Sequence, residues 1–415
     1  MTSPSSRGPG PVPPVRLVLV EPADLPGPSG GLVFNASLVR ALRGAGHDVE
    51  VRRVPGAWPR PAEEDLRALE RTLGEASDPP GRPTILVDGI VASAAPAQVR
   101  SARAAGADVV VLVHLPLPAE TGLSAEEGAR LAASEREALS AASGVICTSR
   151  WAARDLGERY GVRDAVVLEP GVDPAATARG SDPPLLLLLG SVTPRKNPLT
   201  VLRALRRLVD LPWRVSVTGP YDDSSPYVRR VLEAASALGP GRAEVTGPLT
   251  GAALEEVWAR TDLLVLASRA ETYGMVVAEA HAHGVPALVG AGTAAEEVLR
   301  GGPRADGVGR TGRGTLGREE TGGSEETDGE GAGRMSADEL DGLGKPGRTG
   351  QPGAAVPPDD EAAVAAALRR WLTDPALRHA WREAARQRRG NLRSWEQTAQ
   401  TLAAYLSRPR PRNRS

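Results

Sequence analysis

A chain of 415 residues is too long for one compact core and points to two domains. Its formal net charge of -1, from 50 Lys and Arg against 51 Asp and Glu, and its 3% of aromatic residues offer no basic or stacking platform for nucleic acid. The single cysteine, Cys147, excludes a disulfide framework and a thiolate metal cluster, which fits a reducing compartment and makes the cytoplasm the expected location.

Residues 1–14 are rich in Pro, Ser and Gly, lack the apolar core of a signal peptide and read as a disordered tail. From Val15 onward, short β-branched or Leu-rich runs alternate with longer Ala- and Arg-rich segments of helical spacing, the pattern of βα units on a parallel sheet. Strands are predicted over 16–21, 49–54, 84–87, 108–113, 144–148 and 165–168, with helices over 32–45, 63–73, 96–104, 125–141 and 151–160. These elements predict a doubly wound α/β domain over residues 15–172. Within it, Cys147 sits in an apolar run and reads as a packing thiol, and His47, after Gly46 at a helix end, as a capping or packing residue.

Helix breakers and turn formers at 169–173 and 181–184 mark a connection, taken as residues 173–184. A second domain follows over 185–390, with strands at 185–189, 213–218, 243–246, 263–267 and 287–289 and helices at 198–209, 226–238, 251–259 and 275–283. Residues 301–350 change to Gly, Arg, Glu, Asp and Thr with almost no branched apolar side chains, so burial cannot offset the entropy of ordering, and they read as a disordered insertion. Apolar structure resumes at 354–356, three helices begin near Asp359, Pro375 and Ser394, and residues 407–415 form a basic, Pro-rich tail. No stretch of about 18 uninterrupted apolar residues occurs, so any membrane contact would be peripheral.

Three segments could carry chemistry. Glu271-Thr272-Tyr273-Gly274-Met275 leaves a strand and enters a helix in which Glu279 follows. The unsatisfied N–H groups and positive dipole end of that helix could bind a phosphate, with Gly274 allowing close approach, Glu279 accepting from ribose hydroxyls and Glu271 from sugar hydroxyls. Equally, both glutamates could merely complement the helix dipole. Arg195-Lys196, also between a strand end and a helix, places one of only two lysines where ligands bind in open α/β sheets. A lysine there suits a pyrophosphate, but composition alone reads the pair as solvated cations, Arg195 being the more exposed. Gly30-Gly31 could admit a phosphate or sugar to the backbone, although a flexible turn is the plainer reading. His114 ends a strand on the same edge, where a structural role and a substrate contact are both open. The sequence contains neither a phosphate-binding Gly-x-x-x-x-Gly-Lys loop nor a His/Asp/Glu cluster of metal spacing, so no metal or cofactor is expected. The acid pairs Glu126-Glu127 and Glu255-Glu256 read as solvated faces.

Taken together these residues resemble the family 4 retaining glycosyltransferases, whose GT-B fold sets two facing Rossmann-like domains around a cleft. The resemblance rests on Glu271 and Glu279 in a Glu, seven residues, Glu pattern followed by Gly284-Val285-Pro286, on Gly30-Gly31, Gly46-His47, His114, Pro170-Gly171-Val172-Asp173, Pro194-Arg195-Lys196-Asn197 and the terminal helix with Trp395. It implies that Lys196 binds the diphosphate of a nucleotide-diphosphate-sugar donor and Glu279 the ribose. Glu271, Thr272 and the backbone of Tyr273, Gly274 and Met275 would meet the sugar and phosphate, and His114 the donor sugar. Many members carry an Arg directly after the glycine of the Arg-Lys loop, where this chain has Ser191, so Arg195 would take that part. The terminal segment 391–406 would pack back on the first domain. The implied reaction is metal-independent transfer to an acceptor hydroxyl with retention; the acceptor would meet the loops at 54–61 and 116–123, whose sequence does not name it. A nucleotide-sugar epimerase, a sugar phosphorylase and a non-catalytic nucleotide-sugar binding protein are the alternative readings.

Overall fold

The segments Asp108–Val113 and Leu185–Leu189 carry apolar side chains on both faces, the composition of strands covered by helices on each side of a parallel sheet. The computed structural model describes residues 13–25, 29–77, 83–120, 123–301 and 350–408. The insertion expected over 301–350 and the two expected tails lie outside the described residues, apart from residues 13–14, 301, 350 and 407–408.

The first domain runs β1 (Arg16–Pro22), α1 (Gly30–Gly44), β2 (Asp48–Val54), α2 (Glu63–Ser77), β3 (Thr84–Asp88), α3 (Gly89–Ala92), α4 (Pro96–Ala104), β4 (Asp108–Val113), α5 (Ala125–Ala141), β5 (Gly144–Cys147), α6 (Arg150–Tyr160) and β6 (Val166–Val167). Among the described residues its sheet is parallel with order β2-β1-β3-β4-β5-β6, so winding reverses between β1 and β3. The second domain runs β7 (Leu185–Leu189), α7 (Pro198–Arg206), β8 (Arg214–Thr218), α8 (Pro226–Ser236), β9 (Ala243–Gly247), α9 (Gly251–Arg260), β10 (Thr261–Leu266), α10 (Met275–Ala282), β11 (Ala287–Gly290), α11 (Ala294–Arg300) and β12 (Gly353–Val356). Its parallel sheet has the order β12-β11-β10-β7-β8-β9, with the reversal between β7 and β10. Each reversal opens a crevice at the carboxyl ends of two strands, where ligands bind in this architecture.

The short α3 and α11 were not predicted, and residues 353–356 form the edge strand β12 beside β11. Gly353 is required there, because a Cβ would lie 1.7 Å from the Ala287 carbonyl oxygen.

Helices α12 (Glu361–Thr373), α13 (Pro375–Arg389) and α14 (Trp395–Leu406) close the chain. Asp360 and Asp374 cap the first two, and Ser394 with Gln397 forms a capping box on the third. The apolar stripe of α14, Trp395, Ala399, Leu402, Ala403 and Leu406, packs on α1 of the first domain with Phe34, Leu38 and Leu42, and the Trp395 and Phe34 rings meet edge-on at 5.4 Å. Gly171 lets the chain pass beneath, since a Cβ there would sit 2.3 Å from the Trp395 backbone nitrogen. Cys147 lies buried in the core on the opposite face of the first sheet, and burial pushes its thiol up to about 12, as suits a packing residue. No described helix is long and apolar enough to cross a membrane.

Trp395→Ala should cost about 3–5 kcal/mol of stability, by emptying a buried aromatic site that closes the first domain's core. Urea unfolding followed by circular dichroism measures this; a loss below about 1 kcal/mol would show that α14 contributes little to that core.

Candidate active site

At the second domain's reversal, β7 and β10 each end in a loop that turns inward. Gly190 leaves β7 with φ +148 and lies against the aliphatic stem of Lys196, which a Cβ would meet at 3.4 Å. The loop is pinned by Asn197, the described non-glycine residue with positive φ: its amide donates to the Pro358 carbonyl at 2.6 Å and its Oδ1 accepts from Thr200. The two loops are laced together by the Arg269 N–H, which donates to the Arg195 carbonyl at 2.8 Å, and by the Arg195 guanidinium, which donates to the Ala270 carbonyl.

Between them Lys196 Nζ donates to Glu271 Oε1 at 2.5 Å, with side-chain exposures of 17% and 8%. Burial pushes the Glu271 carboxyl upward, but Lys196 and Arg195 outweigh it and hold it below the usual carboxylate range. The Glu271 carboxyl is therefore ionised at neutral pH. Arg195 is not the exposed cation of the sequence reading: it keeps 15% of its side-chain surface, because it reaches across to Glu120 of the first domain at 3.3 Å.

Gly274 caps α10 in the left-handed region at φ +88, where a Cβ would also press on Ala295 at 3.0 Å, so a side chain there is strained twice over. No side chain from Gly274 caps the first turn, and no acid lies in it. Met275 packs into the first domain's core and Tyr273 is pressed inward, its phenol pushed up chiefly by burial. Glu279 lies one turn further along α10, partly buried; its carbonyl accepts the His283 N–H at 3.0 Å, while its carboxylate makes no hydrogen bond to protein among the described residues. Burial, then the charge of Glu255, push its carboxyl up to about 7, against the pull of Lys196. Glu255 itself is exposed, as the sequence reading has it, with 59% of its side-chain surface free.

The first domain meets this loop with its own reversal. Thr272 Oγ1 donates to the His114 carbonyl, and Thr148 Oγ1 donates to the Thr272 carbonyl at 3.1 Å. His114 lies in a buried polar cluster: its Nε2 is 3.0 Å from Asn35 Oδ1, and Asn35 Nδ2 donates to Glu21 at 3.2 Å and Asp88 at 2.9 Å. Burial holds the imidazole below its ordinary range despite the opposing charges of Asp88 and Glu21. Gly31 is required by this packing, since a Cβ would lie 2.9 Å from His114 Cδ2, whereas Gly30 faces open space. The structure thus brings His114, Gly31, Lys196, Arg195, Glu271 and Thr272 to one interface, with Gly274, Met275 and Glu279 along α10 beside it. His47 instead accepts from the Val15 N–H at 3.3 Å, a packing role.

Sequence reasoning missed Glu21, Asn35, Asp88 and Glu120. Glu21 and Asp88 were findable as acids at strand ends, each closing an apolar run at the ligand-binding edge. Asn35, in the apolar stripe of α1, was findable only as a polar interruption of that stripe.

Residues 183–312 match the family described as Glycosyl transferases group 1. Two parallel, helix-covered sheets with their crevices facing define the class by fold, GT-B, and the family match falls within the second of them. The chain is 29% identical over 289 residues to D-inositol 3-phosphate glycosyltransferase 1 of Catenulispora acidiphila, a span of 61% of this chain and 67% of that protein. Among solved structures it resembles sucrose-phosphate synthase from Thermosynechococcus elongatus, with TM-score 0.67 and 18% identity over 94% of this chain and 98% of that one. It also resembles Anabaena Alr3699/HepE in complex with UDP and glucose, with TM-score 0.65 and 14% identity over 95% and 99% of the two chains. At such identities the structural likeness establishes the fold.

The Lys196–Glu271 pair gives a stability prediction with a definite sign. A carboxyl held below its ordinary value near 4.5 contributes stability above that pH, which is lost as pH falls through the folded-state value. Lys196→Ala should therefore cost about 3 kcal/mol at pH 7, by stranding a buried carboxylate, and less toward pH 3. Denaturant unfolding across that range tests it; a cost independent of pH would mean that the pair does not carry the effect.

Proposed function

We propose that the protein is a retaining glycosyltransferase of the family 4 type, moving a sugar from a nucleotide-diphosphate-sugar donor to an acceptor hydroxyl without a metal ion. The observation that carries this reading is the Lys196–Glu271 pair at the β7/β10 crevice, joined through Thr272 to His114 of the opposite domain. In the proposed complex Lys196, with Arg195 beside it, meets the donor diphosphate together with the N–H groups at the start of α10. Glu279, whose carboxylate has no hydrogen-bond partner in the protein among the described residues, accepts from the ribose hydroxyls. Glu271 and the backbone of Thr272, Tyr273, Gly274 and Met275 hold the sugar and phosphate, and His114 contacts the sugar from the first domain.

The step is a same-face substitution. The bond from the anomeric carbon to the diphosphate oxygen breaks, the acceptor oxygen bonds to that carbon, and its proton passes to a donor phosphate oxygen. Charge develops on the leaving diphosphate, so fixed positive charge and oriented N–H groups stabilise the transition state without a protein nucleophile. Closure of the two domains over the donor excludes water and limits hydrolysis. The curated relative is by its name a transferase to an inositol phosphate, and Alr3699/HepE binds UDP and glucose; both support a nucleotide-sugar donor here. A cytoplasmic location, with any membrane contact peripheral, fits a donor of this class.

Incubation with a panel of nucleotide-sugars and hydroxyl acceptors, followed by proton NMR, should give a glycoside whose anomeric configuration matches the donor, undiminished by EDTA. Inverted product or loss of activity with EDTA would overturn retention or metal independence respectively. Epimerised donor, phosphate-dependent cleavage, or tight binding without turnover would replace the transferase reading altogether.

Glu279 supplies a separate test. Accepting two hydroxyl donors requires its carboxylate, while in the free protein it titrates at about 7, so donor binding at pH 6 should release protons. Calorimetry in buffers of different ionisation enthalpy reads that release; it should vanish in Glu279→Gln, with donor binding weakened about tenfold or more. Equal heats in all buffers for the wild type would exclude this role.

A further inference from the structure

Glu21, Asp88 and His114 stand at or just beyond the carboxyl ends of β1, β3 and β4, flanking the first domain's reversal, and Asn35 on α1 joins all three. The arrangement fixes the direction of every hydrogen bond in it. A carboxylate oxygen accepts, so the two hydrogens of Asn35 Nδ2 face Glu21 Oε2 and Asp88 Oδ2. Asn35 Oδ1 therefore faces His114, and the imidazole nitrogen opposite it must carry a hydrogen. Glu21 is anchored from outside by Arg53 of β2 at 3.1 Å, and Asp88 accepts the Ile90 N–H at the start of α3, so neither carboxylate is free to turn away.

Packing fixes the ring itself. Its Cδ2 edge lies against Gly31, Phe34 meets it edge-on at 5.1 Å, and Nε2 is 3.0 Å from Asn35 and 3.5 Å from Asp88. The remaining edge, carrying Nδ1, has no protein partner among the described residues, and the side chain keeps 16% of its surface. We propose that Asn35 is a positioning residue: clamped by Glu21 and Asp88, it holds His114 as the Nε2–H tautomer and so makes Nδ1 a hydrogen-bond acceptor for a ligand hydroxyl. The site then selects an O–H group at this point and disfavours a carboxylate or phosphate oxygen, which would face the Nδ1 lone pair. The ligand half of this inference rests on the transferase reading above; the tautomer half does not.

Nitrogen-15 NMR of protein labelled at histidine reports the tautomer directly, with His114→Gln assigning the resonance among the five histidines. The wild-type spectrum at neutral pH should show a protonated Nε2 and an unprotonated Nδ1. In Asn35→Leu, where Glu21 and Asp88 lose their shared donor, the imidazole should gain a second proton near neutral pH; Asn35→Ser is the milder variant should Leu prevent folding. A wild-type Nδ1–H tautomer, or an unaltered His114 spectrum in the folded Asn35 variants, would overturn the inference. In transfer assays Asn35→Leu and His114→Gln should each lower kcat/KM by about tenfold or more, and the double variant should lose little beyond the worse single one. Losses that multiply would mean that Asn35 does not act through His114. A wild type with the expected spectrum, altered by Asn35→Leu, but without transfer would uphold the tautomer and remove the transferase reading.

Discussion

The ion pair between Lys196 and Glu271 joins the ends of β7 and β10, the two strands between which the second sheet reverses its winding. A buried pair is stable only while each charge has its partner, so the two loops are held in one relative position. From there the constraint spreads. Glu271 precedes Thr272, whose hydroxyl and carbonyl tie the loop to His114 and Thr148 of the first domain. Arg195, beside Lys196, crosses to Glu120. The geometry of the cleft therefore depends on one lysine in a chain that elsewhere relies almost wholly on arginine. The aliphatic stem of Lys196 runs beneath Gly190 and delivers a compact ammonium to Glu271.

The two halves of the cleft treat charge differently. The second domain offers cations and the uncapped start of α10, a surface for an anionic leaving group. The first domain, apart from Glu120 paired with Arg195, buries two carboxylates behind an amide and an imidazole, so the cluster around His114 turns a neutral face toward the cleft. Such a division suits a ligand charged at one end and rich in hydroxyls at the other, as a nucleotide-sugar is. Further contacts fasten the domains: Trp151 Nε1 donates to the Gly292 carbonyl at 2.9 Å, and Arg154 pairs with Glu297 at 2.6 Å. These are exposed pairs and individually weak, which is compatible with opening and closing around a ligand.

Much of the fold was legible in the sequence, because strands buried on both faces must be continuously apolar and the intervening helices must carry a stripe. The doubly wound architecture and the segments holding Lys196, Glu271 and His114 follow from that rule. What was not legible has physical reasons. The helix α11 has seven residues, too few for a period to register, and it adjoins the compositional shift at 301. The strand β12 has four, and only its pairing with β11 distinguishes it from coil. Arg195 read as solvated because nothing local announces Glu120, which is 75 residues away. Asn35 is the clearest case. One amide in an apolar helix stripe carries no local meaning until β1, β3 and β4 bring Glu21, Asp88 and His114 around it.

The most direct measurement of the donor half of the cleft is a crystal structure with the nucleoside diphosphate that most raises the protein's melting temperature in a thermal-shift screen. The diphosphate should lie within hydrogen-bond distance of Lys196 Nζ and of the first N–H groups of α10, with the ribose hydroxyls on Glu279. A nucleotide bound elsewhere, or bound in the cleft without contact to Lys196 or Glu279, would contradict the assignment of the β7/β10 crevice as the donor site.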